Sequence, residues 1–458
     1  MAIATINPTT GEVEKTFDVH TAEEVEAILD RADRANTLMA GTTFEQRAAW
    51  MHRAADLMDA ELDLAAGLAS TEMGKTIGTA KYEVSKSARG MRHFADHAAE
   101  YLADERPVDP KDVGASDARI MYRPIGTVLA VMPWNYPFWQ VIRFAAPALM
   151  AGNTGLLKHS SSVPQCAVYL GELFERAGFP AGAFQTLLIE GAAASALIDD
   201  RRIKAVTLTG SVAAGAAVAE AAGRNIKKSV LELGGTDVFV VMPSADVVKA
   251  AEFGVNSRVQ NSGQSCICAK RFYIHDDVYD EFERLFLENM AKQKPGDPFA
   301  EGTSFGPMAT EQGRIDAHAF VEDARSKGAN VLGGGEIPDG PGWFYPATTL
   351  TGVTPEMRIY RDECFGPVAC LYRVSSIEEA IERSNDSDFG LASSVWTSDP
   401  AEVERLTREI ESGGVFVNGN SASFFGLPFG GVKDSGYGRE LSAFGIREFV
   451  NIKTIWQA

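Results

Sequence analysis

The segment VQNSGQSCICAKR, Val259 to Arg271, sets a thiol, Cys266, among Asn, Ser, Gly and Gln, with a second thiol, Cys268, close behind. Cysteine ordinarily behaves as a small buried hydrophobe. A thiol in a polar loop between two apolar runs sits where scaffolds present function, and its chemistry would be nucleophilic attack. An unperturbed thiol of pKa about 8.5 is only slightly ionised at neutral pH, so attack needs a base or a locally positive field. Glu232, in LELGGTD, closes an apolar run just before two glycines, which let backbone or ligand approach closely. A carboxylate there could take a proton from a thiol or a water. Asn135, in MPWNYP, lies between an apolar run and a helical one, and its amide could donate to a developing oxyanion. Taken singly, the three have plain alternatives: a structural thiol, a surface carboxylate in a turn, and a helix cap, the last compatible with an oxyanion role.

These residues need a frame. EQRAAWMHRAADLMDAELDLAAGL has apolar positions at three- and four-residue spacing, so the first hundred residues are predicted largely helical. Asp117 to Tyr122 is a short strand, and from there strands and helices alternate. GTVLAVMP, NTGLLKHS, FQTLLI and KAVTLTG are strands; PFWQVIRFAAPALMAG, Val163 to Ala177, Ala193 to Asp199 and VAAGAAVAEAAGR are helices. A second series follows SVLELGG, with helices Val247 to Val259 and Val278 to Met290 and strands at KRFYIH, FGPVACLYRV and GVFVNG. Such alternation argues for open, mostly parallel α/β sheets. NIKTIWQA, at the end, is an edge strand in need of a partner. The expected architecture is two αβ domains with a protruding pairing element.

Composition narrows the function. At 458 residues, 45% hydrophobic and 23% charged, the chain is of ordinary globular make-up and long enough for two or three domains. The formal charge of −19 makes nucleic acid a poor partner, since a phosphate-binding surface needs positive field. The acidic excess fits simple solubility, with salt adaptation as the alternative. No apolar run is long enough to span a bilayer, and nothing at the start resembles a signal peptide. Five cysteines without framework spacing fit a reducing cytoplasm.

PWN, TGS (Thr209 to Ser211), ELGG, GQSC, ECFGP (Glu363 to Pro367) and PFGGVKDSGYGRE occur in the order and approximate spacing of the aldehyde dehydrogenase superfamily. The chain resembles that family over essentially its whole length. MPWNYPFWQVIRFAAPALMAGN and LKHSSSVPQCA are most similar to the short bacterial-type succinate-semialdehyde dehydrogenases. The resemblance implies that Cys266 attacks an aldehyde carbon and that the Asn135 amide and the Cys266 N–H hold the oxyanion. Hydride then leaves for a nicotinamide, and Glu232 activates the water that hydrolyses the thioester. No metal is implied. The fold implied is a Rossmann-like cofactor domain (1–115 and 128–232, with 436–445 returning to it), a catalytic domain (233–435) and a β oligomerisation arm (116–127 and 446–458). Relatives pair through that arm, so a homodimer, or a tetramer made of two dimers, is expected.

No GxGxxG turn is present. TLTGSVAAG instead places Gly210 and Ser211 at a helix start, where free N–H groups suit a pyrophosphate. By resemblance, Lys158 contacts the adenine-side ribose. NAD-preferring relatives carry Glu three positions later, where this chain has Ser161, which would admit a 2′-phosphate; NADP is therefore expected, with NAD as the weaker alternative. Glu363 matches the residue that holds the nicotinamide ribose and Phe365 the ring beside it, while Trp134 lines the channel. LLIEGAAAS replaces the family's frequent Gly-Pro-Gly turn.

Arg143 lies eight residues after Asn135, near the same helical face, and could hold a distal carboxylate by paired bonds. The resemblance gives that carboxylate to Arg143 and Ser423, with Trp139 walling the tunnel. Relatives of the longer type add an arginine where this chain has Gln260; Arg258, close by, would have to turn inward and is not assigned. A helix-surface charge is the plain alternative for Arg143. Some semialdehyde dehydrogenases with the Cys-x-Cys spacing form a disulfide, which makes Cys268 a possible redox partner of Cys266; otherwise it packs inward. The expected activity is oxidation of succinate semialdehyde to succinate. The alternatives are a broad aliphatic or aromatic aldehyde dehydrogenase, or a non-catalytic binding protein on the same fold.

Overall fold

The computed structural model describes residues 3–458. The runs expected as parallel strands do lie side by side: Thr127–Met132 sits between Thr154–His159 and Ile203–Thr209, parallel to both. Their continuous apolar character reflects burial on both faces. Phe184–Thr186 extends the sheet on one side, Lys228–Glu232 and Gly436–Tyr437 on the other, giving six strands. The chain moves outward from Thr127–Met132 in one direction and then returns to its other flank at Ile203–Thr209. A crevice therefore opens at the carboxyl ends of these two strands, where ligands of such sheets bind.

The second sheet has seven strands, with Val238–Val241 near its middle, flanked by Arg271–His275 and Ala392–Trp396. Val368–Val374 and Thr348–Thr351 continue it in parallel; Asn330–Gly333 is antiparallel at one edge and Gly414–Val417 closes the other. The segments entering its strands carry Gly234 to Asp237, Cys266 and Glu363 to Phe365. Ala392–Trp396 was not foreseen. Its sequence ASSVW lacks an apolar run, and its buried serines are satisfied by hydrogen bonds, Ser393 Oγ with Ser412 Oγ at 3.0 Å and Ser394 Oγ donating to Gly419 O at 2.6 Å.

Helices cover the sheets. Trp139–Met150 is buried at every position and packs against the 25-residue helix Ile77–Tyr101. Asn135 does not cap it, because the helix starts at Trp139; Glu83 Oε1 accepts from the N–H groups of Phe138 and Trp139 at 2.8 and 2.9 Å. A carboxylate is the stronger partner there, combining acceptor and negative charge at a helix N-terminus. FQTLLI contributes a strand only over Phe184–Thr186, and the helix expected at Ala193 to Asp199 runs over Gly191–Leu197. Val450–Gln457, the terminal strand in need of a partner, pairs antiparallel with Asp117–Pro124 of the same chain. This ribbon leaves Ile452 and Trp456 61% and 54% exposed. Among the described residues no helix is long and apolar enough to cross a membrane.

Candidate active site

The helix Val247–Val259 ends in a run of left-handed backbone, with φ of 52° at Asn261, 58° at Ser262 and 74° at Gly263. For the two non-glycine residues this costs about 1 kcal/mol each, so the surroundings must hold it. Asn261 Nδ2 donates to Asn135 O at 2.9 Å, and Ser262 Oγ to Gly306 O at 2.8 Å. Arg258 does turn inward, but its guanidinium serves the loop, donating to Gly263 O at 2.6 Å and Ala269 O at 3.1 Å. Gly263 itself has no alternative. A Cβ there would lie 2.5 Å from Pro367 N and closer still to the Gly366 carbonyl, so the thiol loop rests directly on the Glu363–Pro367 loop.

Lys270 closes the arrangement. Its buried ammonium donates to the carbonyls of Ser265, Cys266 and Cys268 at 3.1, 2.8 and 3.3 Å and faces Glu363 Oε1 at 3.2 Å. In a trans peptide the N–H points opposite to the preceding carbonyl. Since the Ser265 carbonyl faces Lys270, the Cys266 N–H faces away from it, and among the described residues it has no acceptor. Asn135, buried, uses one amide N–H on Gln264 O at 3.0 Å, which leaves the other to donate. Two donors are thus free, one on Cys266 itself and one on Asn135, which shares a cavity wall with it.

Cys266 stands at a boundary. It and Gln140 line both of two cavities. One, of about 320 Å³, is walled by Trp139, Arg143, Gln260, Ser423 and Phe429. The other, of about 290 Å³, is walled by Trp134, Asn135, Gly210, Ser211, Glu363 and Phe365. Burial pushes the thiol up to about 12, opposed by the nearby charges of Arg143 and Lys270 and reinforced by Glu363 and Asp237. At rest the sulfur is protonated and needs a base. Glu232 ends its strand buried, its carboxyl held well above the usual carboxylate range by burial and by the neighbouring Glu440, against the pull of Arg143 and Arg439. It faces Gly430, whose Cβ would lie 2.7 Å from Oε1, and lines neither cavity.

The second cavity has the chemistry to hold the nicotinamide and pyrophosphate end of a dinucleotide. Ser211 caps the helix Val212–Arg224, its Oγ accepting from Ala214 N at 3.3 Å, so the helix N-terminus and Gly210 open onto the crevice between the sheet's two central strands. Gly234 lies opposite, and a Cβ there would displace the Glu363 carboxylate. Trp134 and Phe365 meet edge to face at 5.8 Å, an apolar corner in the wall that also carries Cys266. Lys158, at the end of Thr154–His159, is half-buried, its ammonium lowered by burial. Ser161 lies in the following turn, its carbonyl accepting from Ala4 N at 3.3 Å.

Arg143 is the main departure from expectation. It reaches the wall of the first cavity, but its guanidinium is buried in an ion pair with Glu440, lies 4.6 Å from the centre of the Phe429 ring, and donates to Thr209 Oγ1 at 3.4 Å. It is an internally balanced charge and not a free clamp. Cys268 lines neither cavity; it is fully buried, its Sγ 3.9 Å from Gln260 O, and all five cysteines are free thiols. Sequence reasoning passed over Lys270, Glu83 and Glu440. Lys270 lies four residues past the nucleophile and was legible as a nearby cation; the other two act across more than fifty residues of chain.

A cysteine in an unusual loop at the meeting of two sheets, on the wall shared by a crevice at the switch in strand order and a second cavity, is the arrangement of an aldehyde dehydrogenase. The aldehyde dehydrogenase family model matches residues 1–455, and the chain belongs to that family. It is 68% identical over 456 residues, covering both chains fully, to the aldehyde dehydrogenase of Paenarthrobacter nicotinovorans. It is 54% identical over 458 residues, again covering both fully, to succinate-semialdehyde dehydrogenase [NADP(+)] 1 of Mycobacterium tuberculosis. Among solved structures, succinic semialdehyde dehydrogenase from Streptococcus pyogenes in complex with NADP+ superposes with a TM-score of 0.96 at 37% identity over 99% of each chain.

Proposed function

We propose that the protein oxidises a short ω-carboxy aldehyde, succinate semialdehyde, to the dicarboxylate, with NADP as the preferred acceptor. The carrying observation is the position of Cys266 on the wall shared by the two cavities, with two free donors, one on Cys266 itself and one on Asn135. The sulfur adds to the aldehyde carbon as its proton passes through water to the ionised form of Glu232, and the second Asn135 N–H with the Cys266 N–H stabilises the resulting oxyanion. A nicotinamide held beside Cys266 by Trp134, Glu363 and Phe365 would supply the hydride acceptor that takes this carbon to the level of a thioester. Glu232 sheds its proton to solvent and, once it turns from Gly430 toward the sulfur as a carboxylate, takes a proton from the water that attacks the thioester, the Cys266 thiolate leaving. Glu440 and Arg143, in contact behind it, set how readily Glu232 holds the proton. On this reading the six-stranded sheet and its helices carry the cofactor, and the seven-stranded sheet carries the thiol.

The substrate assignment is supported by the polar end of the first cavity, where the Ser423 hydroxyl meets Trp139 Nε1 at 3.0 Å, and by the names of the 54% identical relatives. NADP is supported by Ser161 and Lys158, a hydroxyl and an ammonium in place of a ribose-binding carboxylate, and by the same names. The test is steady-state kinetics with succinate semialdehyde against butyraldehyde, each with NADP and NAD. A kcat/KM at least ten-fold higher for the carboxy aldehyde, and higher with NADP, is expected. Equal values for the two aldehydes defeat the substrate assignment, and a preference for NAD defeats the cofactor assignment.

A further inference from the structure

The first cavity contains three cations, and two are already neutralised. Lys75 is fully buried in an ion pair with Glu83, with Nζ 4.1 Å from the centre of the Tyr136 ring. Arg143 is paired with Glu440. The third, Lys86, on the helix Ile77–Tyr101, has no ion pair among the described residues. Its ammonium donates to Ser423 Oγ at 2.9 Å and lies 4.6 Å from the centre of the Trp139 ring.

The hydrogen-bond count at Ser423 gives this cluster a direction. A hydroxyl has two lone pairs and one proton. Lys86 Nζ and Trp139 Nε1 both donate to Ser423 Oγ, at 2.9 and 3.0 Å, so the lone pairs are engaged. The Ser423 O–H must then point elsewhere, and among the described residues it has no acceptor. Lys86 likewise has two N–H bonds left. Three N–H or O–H donors thus converge on the cavity with a positive charge that no ion pair neutralises; the carboxylate in the same wall, Glu83, is already paired with Lys75. Trp139 is fixed behind them: Gly90 of the same helix as Lys86 leaves room for its ring, since a Cβ there would lie 2.8 Å from Cζ3.

We infer that Lys86, with the Ser423 hydroxyl oriented by it and by Trp139, is the specificity-determining group that binds the distal carboxylate of the substrate. The inference rests on the ω-carboxy reading above and moves its cation from Arg143 to Lys86. Gln260 cannot supply the charge, and Arg143 would have to share its own among substrate, Glu440 and Glu232. Burial, with Arg143 nearby, lowers the ammonium to about 8, which leaves it charged at neutral pH, and an arriving carboxylate favours that form.

The experiment compares the ratio of kcat/KM for succinate semialdehyde to that for butyraldehyde, at pH 7 with saturating NADP, in the wild type, Lys86→Met, Lys86→Gln, Lys86→Arg and Arg143→Met. Competitive inhibition by glutarate is measured alongside, and retained NADPH binding confirms a folded protein. The ratio should fall at least ten-fold in Lys86→Met and Lys86→Gln, and glutarate Ki should rise by a similar factor. Lys86→Arg should keep most of the preference. A wild-type ratio near one would overturn the carboxylate reading itself. A high wild-type ratio that both neutral variants keep within three-fold, or that collapses only in Arg143→Met, would overturn the role of Lys86 and leave the substrate reading standing.

Discussion

Replacing Gly263 with alanine should disable the enzyme without touching any reacting group. The new methyl carbon would stand 2.5 Å from Pro367 N, where ordinary contacts begin near 3.4 Å, so one of the two loops must retreat by roughly 1 Å. The φ of 74° adds about 1 kcal/mol for a residue with a side chain. The retreat is borne by functional parts: the thiol loop carries Cys266, and the opposing loop carries Glu363 and Phe365 of the cofactor cavity. Misplacement on this scale costs on the order of 100-fold in rate. The assay is kcat/KM for aldehyde oxidation together with NADPH affinity and the alkylation rate of Cys266 by iodoacetamide. Oxidation should fall by about two orders of magnitude, with either affinity or alkylation altered according to which loop gives way. If Gly263→Ala keeps kcat/KM within three-fold, the two loops are not in the contact that fixes the site.

Asp237, buried with Oδ2 unpaired, is raised to about 7 by burial, with Lys270 opposing. An acid raised in the fold loses its stabilising contribution as pH climbs from its ordinary value near 3.8 to about 7, an effect of up to about 4 kcal/mol. Wild-type melting temperature should therefore fall relative to Asp237→Asn between pH 5.5 and pH 8; a difference independent of pH refutes this. Peroxide inactivation, and its recovery with dithiothreitol, should be the same in wild type and Cys268→Ala, because Cys268 is buried away from both cavities; recovery lost in the variant would restore the disulfide switch. The expected pairing of copies through the exposed apolar ribbon is tested by Ile452→Asp with Trp456→Ser, which should then lower the mass measured by light scattering; a single-chain mass in the wild type, or an unchanged mass in the variant, removes the arm from any assembly.

The parts of the fold most legible in the sequence were those whose signal is local. Strands such as Thr127–Met132 and Ile203–Thr209 are covered on both faces and so read as unbroken apolar runs, and Val247–Val259 was bounded correctly because Asp246 caps one end and a polar loop follows the other. Ala392–Trp396 was illegible because its burial is supported by hydrogen bonds from distant serines and carbonyls. The same division runs through the candidate site. Cys266, Asn135 and Glu232 were singled out by residue type and setting, but each alone had a plain alternative, and it was the run of motifs along the chain that joined them into one candidate site. The state of Arg143 depends on Glu440, and the helix cap beside Asn135 on Glu83, and neither pairing leaves a trace in neighbouring residues.

Because the sulfur forms part of a wall common to two chambers, the reactants approach it from separate sides and neither blocks the other's door. On the proposed reading, the side lined by Trp134 and Phe365 could empty while an acyl group is still held on Cys266, leaving that side open to water. Turnover in such a molecule resembles a lock between two basins, where the gate matters as much as either pool.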